Sequence, residues 1–453
     1  MTDIQHQQLE ATLGYYVPSF FRIKLEVSNS DIGHPHNMTV GAYSVFFHEY
    51  IHYLQDVTTK YGLMNLSTIS FYIREVAAII GKKQVDSFNV PQCISQRDIV
   101  GYKNWKLKHI YYGNGKDVKA NYRNFERYNV DSVDVSGDVV ECVTISYKTD
   151  KDETLSFKFG GYHVCESMAA LCQEYAYRPA FAKEGFQYIS LDEYPYAICT
   201  RLAAYIYPAF AKESLLIIGL CDLSLLTYNA GLTFVRLLEY LKQNDFLGKA
   251  YNDTLDKIDF LYQVGMDFIN WTKGDFAKVQ SVVREEIGSY FKCEEFSGNN
   301  EWFEIVMNNA MKLRSENPHY IVDLLLFKDG DVRVNDLFCR IISLMGLPLT
   351  INDSNEGFYI PPLGFTGLRK FHPALYWAID VVKNIFCGYS DVVSCPIREY
   401  CKWSCHAQNI DDFTDMRCRE NPWMRCVDEE DLCPFAIIWK HWNLRGHYPV
   451  VNR

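Results

Sequence analysis

Apolar residues recur at helical spacing between Thr39 and Lys60: Tyr43, Phe47, Tyr50, Leu54 and Val57 form one stripe, and Ser44, His48, His52 and Gln55 lie on the other side. This period predicts an amphipathic helix. Ile69, Ile73, Val76, Ala77 and Ile80 carry the same period through Ser67 to Gly81 and predict a second one. From Val90 to Phe159 the texture turns to β. Val139 to Tyr147 and Thr154 to Phe159 flank the charged stretch from Lys148 to Glu153, which predicts a hairpin. Gly160 and Gly161 close the second strand, Tyr162 to Arg178 reads as a helix, and Pro179 is expected to stop it. Long helical patterns follow near 193–207, 212–226, 230–243, 254–271, 275–292 and 300–315, then one more from Pro373 to Phe386 and a loop-rich tail.

The pattern predicts an α+β fold, mainly α: a helix-bearing N-terminal half with a β-rich insertion, a helical bundle and a small cysteine-rich C-terminal region. With 453 residues and about 150 residues per domain, two to three domains are expected. The segments are placed at 1–190, 191–330 and 331–453.

Composition narrows the functional classes. The chain has 45 Lys+Arg against 56 Asp+Glu and a net charge of −11, and it has no basic patch that would track a phosphate backbone, so no nucleic acid is expected as a partner. Met1 to Gly14 is polar, without the apolar run of a signal peptide. Leu215 to Leu226 is short and carries Asp222, which predicts a core helix and no membrane partner. A cytoplasmic location is expected, with most of the 15 cysteines reduced.

The chemistry is concentrated in Phe46-Phe47-His48-Glu49-Tyr50-Ile51-His52. Histidines at i and i+4 project from one helix face, one turn apart, as two imidazole ligands of a tetrahedral Zn²⁺ require. Glu49 stands beside that face, from where it can take a proton from metal-bound water and pass it to a leaving group. With 12 histidines in the chain, a chance His-Glu-x-x-His has an expectation of roughly 0.02. The competing reading is an amphipathic helix whose histidines make only structural hydrogen bonds.

This segment resembles the zinc-binding helix of the zincin metallopeptidases. Thr58 stands where the metzincin branch has a third histidine, so the resemblance is gluzincin-like, and it implies a glutamate on a later helix as third ligand. Glu166, within Gly160-Gly161-Tyr162-His163-Val164-Cys165-Glu166-Ser167-Met168-Ala169-Ala170, is the first candidate, and Glu75, beside Arg74, is the second. The implied activity is hydrolysis of a protein or peptide substrate, with Glu49 catalytic and His48, His52 and Glu166 holding one catalytic Zn²⁺. Asp56 is expected either to fix the His52 tautomer or to lie exposed. His163 is open to three roles: fourth ligand, oxyanion electrophile or core histidine. His34 and His36 read as surface loop residues, and no tyrosine can be singled out as oxyanion donor.

The tail gathers Cys395, Cys401, Cys405, Cys418, Cys426 and Cys433. Structural zinc, an iron–sulfur cluster and buried thiols all remain open there, because the paired C-x-x-C knuckles of zinc ribbons are missing. Two other functional classes compete with a peptidase: a non-catalytic zinc-bearing binding or regulatory protein, and a redox or metal-sensing protein using the C-terminal cysteines.

Overall fold

The computed structural model describes residues 14–26, 37–83, 86–92, 99–114, 122, 124–185, 187–188, 194–292, 294–326, 335–388, 394–427 and 433–451, with the side chains of residues 99, 100, 295, 426, 427 and 451 outside the description. His34 and His36 also lie outside the described residues, as does the side chain of Cys426.

The described chain starts with the hairpin of β1 (Gly14–Val17) and β2 (Arg22–Leu25), followed by helices α1 (Val40–Thr58) and α2 (Lys60–Gly81). Strand β3 (Ser87–Val90) and helix α3 (Ile99–Tyr112) lead into the antiparallel meander β4 (Asn124–Val135), β5 (Asp138–Lys148) and β6 (Thr154–Phe159). Helix α4 (Gly161–Lys183) leaves that meander directly. Then come α5 (Ile198–Ile206), α6 (Ser214–Leu225), α7 (Ala230–Gln243), α8 (Thr254–Phe268), α9 (Lys273–Gly288), α10 (Ser297–Glu316) and the single turn α11 (Tyr320–Asp323). Helix α12 (Asp336–Met345), strands β7 (Leu347–Ile351) and β8 (Gly357–Ile360), helices α13 (Ala374–Cys387), α14 (Arg398–Ala407), α15 (Arg417–Glu420) and α16 (Pro434–His441), and strand β9 (Tyr448–Val451) complete it. The fold is mainly helical with small sheets.

Strand order in the four-stranded sheet is β1-β2-β7-β8, with β2 and β7 parallel, so residues 14–25 and 347–360 share one layer. Helix α1 packs on this sheet, on α2, on α4 and on α10. Fifteen of its nineteen residues are buried, which is the behaviour of a helix surrounded on nearly all sides. Thr39 caps its start by accepting the Ala42 N–H at 3.2 Å. Thr59 breaks the chain between α1 and α2 and caps the latter by accepting the Gly62 N–H at 3.1 Å. Residue 62 must be glycine, since a Cβ there would meet the Asp56 carbonyl oxygen at 2.3 Å.

Helix α6 is the expected core helix: Leu215 to Leu225 are all buried. Its Asp222 forms a bidentate pair with Arg314 of α10 at 2.6 Å, with side chains 0 % and 1 % exposed. Arg314 also donates through Nε to the Thr58 carbonyl at 3.1 Å, so this pair clamps the C-terminal end of α1. By length and composition, one described helix, α2, is apolar enough to cross a membrane; it packs against α1 and α9.

Four sequence expectations are corrected. Residues 99–112, inside the stretch expected to be β, form α3, held to α2 by Trp105 stacked on Tyr72 at 4.3 Å between ring centroids. Helix α2 begins at Lys60, not near Ser67, because the Thr59 cap starts it at once. Pro179 does not stop α4, which runs to Lys183: Pro179 and Tyr175 are both exposed, so water can satisfy the Tyr175 carbonyl that loses its partner. The tail is more helical than its composition suggests, with α14, α15 and α16.

Candidate metal centre

The polar stripe of α1 faces α4, and the two helices contribute complementary polar groups. His48 and His52 aim their Nε2 atoms at one point and lie 3.2 Å apart. Glu166, in the second turn of α4, places Oε2 3.7 Å from His48 Nε2 and 3.5 Å from His52 Nε2. Two donors each 2.0–2.2 Å from a common tetrahedral metal are separated by about 3.3–3.6 Å, and the three spacings of 3.2, 3.5 and 3.7 Å lie at or close to the edges of one such polyhedron. Among the described residues, this is the group of three whose ligand atoms converge in this way.

The opposite sides of both imidazoles are fixed by glutamines. His48 Nδ1 meets Gln173 Oε1 at 3.0 Å, and His52 Nδ1 meets Gln55 Oε1 at 2.8 Å. Each amide's orientation is set by its other end. Gln55 Nε2 donates to the Cys165 carbonyl at 3.1 Å, a group that only accepts. Gln173 Nε2 donates to Ser44 Oγ at 3.2 Å, whose own proton goes to the Gly41 carbonyl at 2.8 Å. With amide oxygens facing both Nδ1 atoms, the network assigns the ring protons to Nδ1 and leaves the Nε2 lone pairs converging on the Glu166 carboxylate. Three acceptors meeting at such short range require a cation or a proton between them. The electrostatics of the protein alone show the same demand: burial would depress His52, yet the Glu166 carboxylate lifts it to about 9. Burial would likewise raise Glu166, but the two imidazoles hold it well below the usual carboxylate range.

Glu49 is buried beside this group and shares its cavity. Burial raises its pKa, against the pull of His48 and His52, and a backbone hydrogen bond from Tyr16 holds it next to β1. The cavity encloses about 260 Å³. Its wall combines Gly14 to Tyr16 of β1 with Tyr61, Tyr112, Tyr162 and Tyr196. Tyr112 and Tyr162 stack at 5.4 Å, and Tyr196 stands edge-on to His48 at 6.1 Å. Burial raises the pKa of Tyr112 and Tyr162, which keeps both as O–H donors.

The structure thus brings His48, Glu49, His52 and Glu166 together. Glu75 is elsewhere: it lies on α2, where its charge acts on Glu286 of α9, the partner of Arg74 at 2.6 Å. Asp56 takes neither of its expected roles. It is buried, and it accepts from Tyr16 Oη at 2.9 Å and from the Ser19 N–H at 2.6 Å, tying α1 to the β1–β2 hairpin. His163 is a core histidine: its Nδ1 accepts the Gly160 N–H at 3.2 Å and its Nε2 meets Tyr194 Oη at 2.8 Å. Burial pushes it down to about 3. Gln173 was not singled out from sequence; only the i+7 step from Glu166, two turns along one face of a helix, connects it to the site.

No family model, no curated protein and no solved structure matches the chain.

Proposed function

We propose that the protein is a zinc-dependent metallopeptidase hydrolysing peptide bonds of a protein or peptide substrate. The observation that carries this reading is the convergence of two Nε2 lone pairs and a carboxylate oxygen within 3.2–3.7 Å, with Glu49 buried beside them. His48, His52 and Glu166 would hold the metal, and three protein ligands leave the fourth position open, as hydrolytic sites require. Bound there, Zn²⁺ supplies Lewis acidity to a water and to the scissile carbonyl. Glu49 takes the proton of the attacking water and returns it to the leaving amide nitrogen; its raised pKa suits it to both steps. The phenols of Tyr112, Tyr162 and Tyr196 line the same cavity and provide donors for the developing oxyanion.

An extended substrate also has a template. Strand β1 pairs with β2 on one side only among the described strands, and Gly14 to Tyr16 form part of the cavity wall. A peptide added along β1 would pass its backbone over the His48–His52–Glu166 group.

The test compares the zinc-loaded wild type, the chelator-treated wild type and Glu49→Gln on a peptide library read by mass spectrometry. Glu49→Gln is expected to keep its zinc and melting temperature and lose about 10²- to 10⁴-fold in cleavage rate. Wild-type cleavage by Glu49→Gln would falsify the assignment.

A further inference from the structure

The hairpin of β1 and β2 turns in a conformation that its own residues do not favour. Ser19 and Phe21 stand at φ 69° and φ 50°, in the left-handed region that L side chains occupy at a cost. Contacts outside the turn must hold it there, and two anchors do so. The first is apolar. Phe20 and Phe21 are buried, and the Phe21 ring lies 5.3–6.5 Å from those of Trp302, Phe303, Tyr376 and Tyr53. Such packing fixes the turn to the core but carries little directional preference.

The second anchor is polar and directional. Asp56 of α1, 5 % exposed, accepts the Tyr16 hydroxyl at 2.9 Å and the Ser19 N–H at 2.6 Å, both on Oδ2. One bond reaches β1 and the other the turn that follows it, so together they set where the strand lies along α1. A buried carboxylate carries a desolvation cost that an apolar residue would not. That cost falls at the candidate metal centre: Asp56, Tyr16 and Pro18 line the same cavity as His48, Glu49 and His52.

We propose that Asp56 is a positioning residue for the substrate, holding β1 where a peptide paired along that strand crosses the His48–His52–Glu166 group. The inference rests on the peptidase reading and on β1 as the template for an extended substrate. Strand β1 is 4 residues long, or about 13 Å, so a peptide uses it only when it extends several residues from the scissile bond. A misplacement of about 1 Å can cost about 10²-fold. Here the cost should fall on the binding of long substrates and spare short ones.

The zinc-loaded full chain and its Asp56→Ala variant would be compared on an octapeptide that the wild type cleaves and on an end-blocked dipeptide built around the same scissile bond. For the octapeptide, KM should rise about 10- to 100-fold, while the dipeptide should lose no more than about threefold in kcat/KM. Zinc content should stay at the wild-type level, and amide hydrogen exchange across residues 14–21 should speed up. Asp56→Asn keeps an oxygen in the Oδ2 place for both donors and should restore the octapeptide KM to within a few-fold of wild type. Should Asp56→Ala fail to fold, Tyr16→Phe deletes one of the two bonds and leaves the ring beside Tyr53, at 6.4 Å between centroids; it should show the same selectivity at smaller size. An equal loss on both peptides, or an unchanged KM with unchanged exchange across 14–21, would overturn the assignment and leave the peptidase reading intact. A wild type that holds zinc and cleaves no peptide would overturn both.

Discussion

Replacing Gln173 with methionine removes the acceptor behind His48 while keeping side-chain length and most of the volume. In the native site the 3.0 Å contact from His48 Nδ1 to Gln173 Oε1 holds both the tautomer and the ring plane, and His48 is only 6 % exposed. The buried Nδ1–H would lose its partner at a cost of about 1–3 kcal/mol. Ser44 keeps its bond to the Gly41 carbonyl, so the loss is concentrated on the imidazole. In metal affinity this corresponds to about 10- to 100-fold weaker zinc binding. The counterpart Gln55→Met acts on the other imidazole and should cost a similar factor; because the two rings meet at 3.2 Å and share one site, the double variant should depart from the product of the two. Competition with a chromophoric zinc chelator at fixed pH measures each constant, and thermal melts of the metal-free proteins check that the fold persists. Zinc binding by Gln173→Met within about threefold of wild type, in a protein with wild-type melting behaviour, would refute the assigned tautomer and the convergence of lone pairs inferred from it.

Arg314→Met should cost about 3–5 kcal/mol of stability in urea titration, because it leaves Asp222 buried without its partner; Arg314→Met with Asp222→Leu should recover much of it, and a loss under about 1 kcal/mol would mean that the pair is dispensable. His163 is held neutral in the folded protein at a pKa of about 3, against about 6.5 unfolded. The unfolded chain therefore binds the extra proton, and the stability this group contributes falls as pH drops from about 6.5 towards 3. His163→Asn should flatten that part of the stability profile, and an unchanged slope would contradict the assignment. Exchanging the two glutamates is equally direct: Glu166→Ala should abolish zinc retention in the His48–His52 site, and Glu75→Ala should leave it within a few tenths of a kcal/mol of wild type.

The parts of the site legible in the sequence were those encoded by local period. His48, Glu49 and His52 belong to one helix whose apolar stripe is plain, so their shared face follows from 3.6 residues per turn. Glu166 required a long-range pairing of α1 with α4, and only the resemblance of its surroundings to a glutamate helix brought it forward. Gln173 could not be found that way: a glutamine carries no motif, and its role exists only once α4 lies across α1. Asp56 shows the converse limit. It lies one turn beyond His52, the position from which a carboxylate can orient that ring, yet the β1–β2 hairpin offers it two donors and captures it. In the fold, the bundle helices between 198 and 316 were readable from their long helical patterns, and α7 and α8 also begin at the capping residues Asn229 and Asp253. Helix α3 was not, since lysines interrupt its aromatic positions, and neither was the pairing of β2 with β7, which joins residues more than 300 positions apart.

The most direct test of the hydrolytic metal site is an anomalous-difference map collected at the zinc absorption edge from a crystal of the intact chain. One peak is predicted about 2.0–2.2 Å from His48 Nε2, His52 Nε2 and one Glu166 oxygen, with Glu49 near it but unbound. A fully loaded crystal with no density between those three side chains, or with Glu49 as a ligand in place of Glu166, would contradict the account.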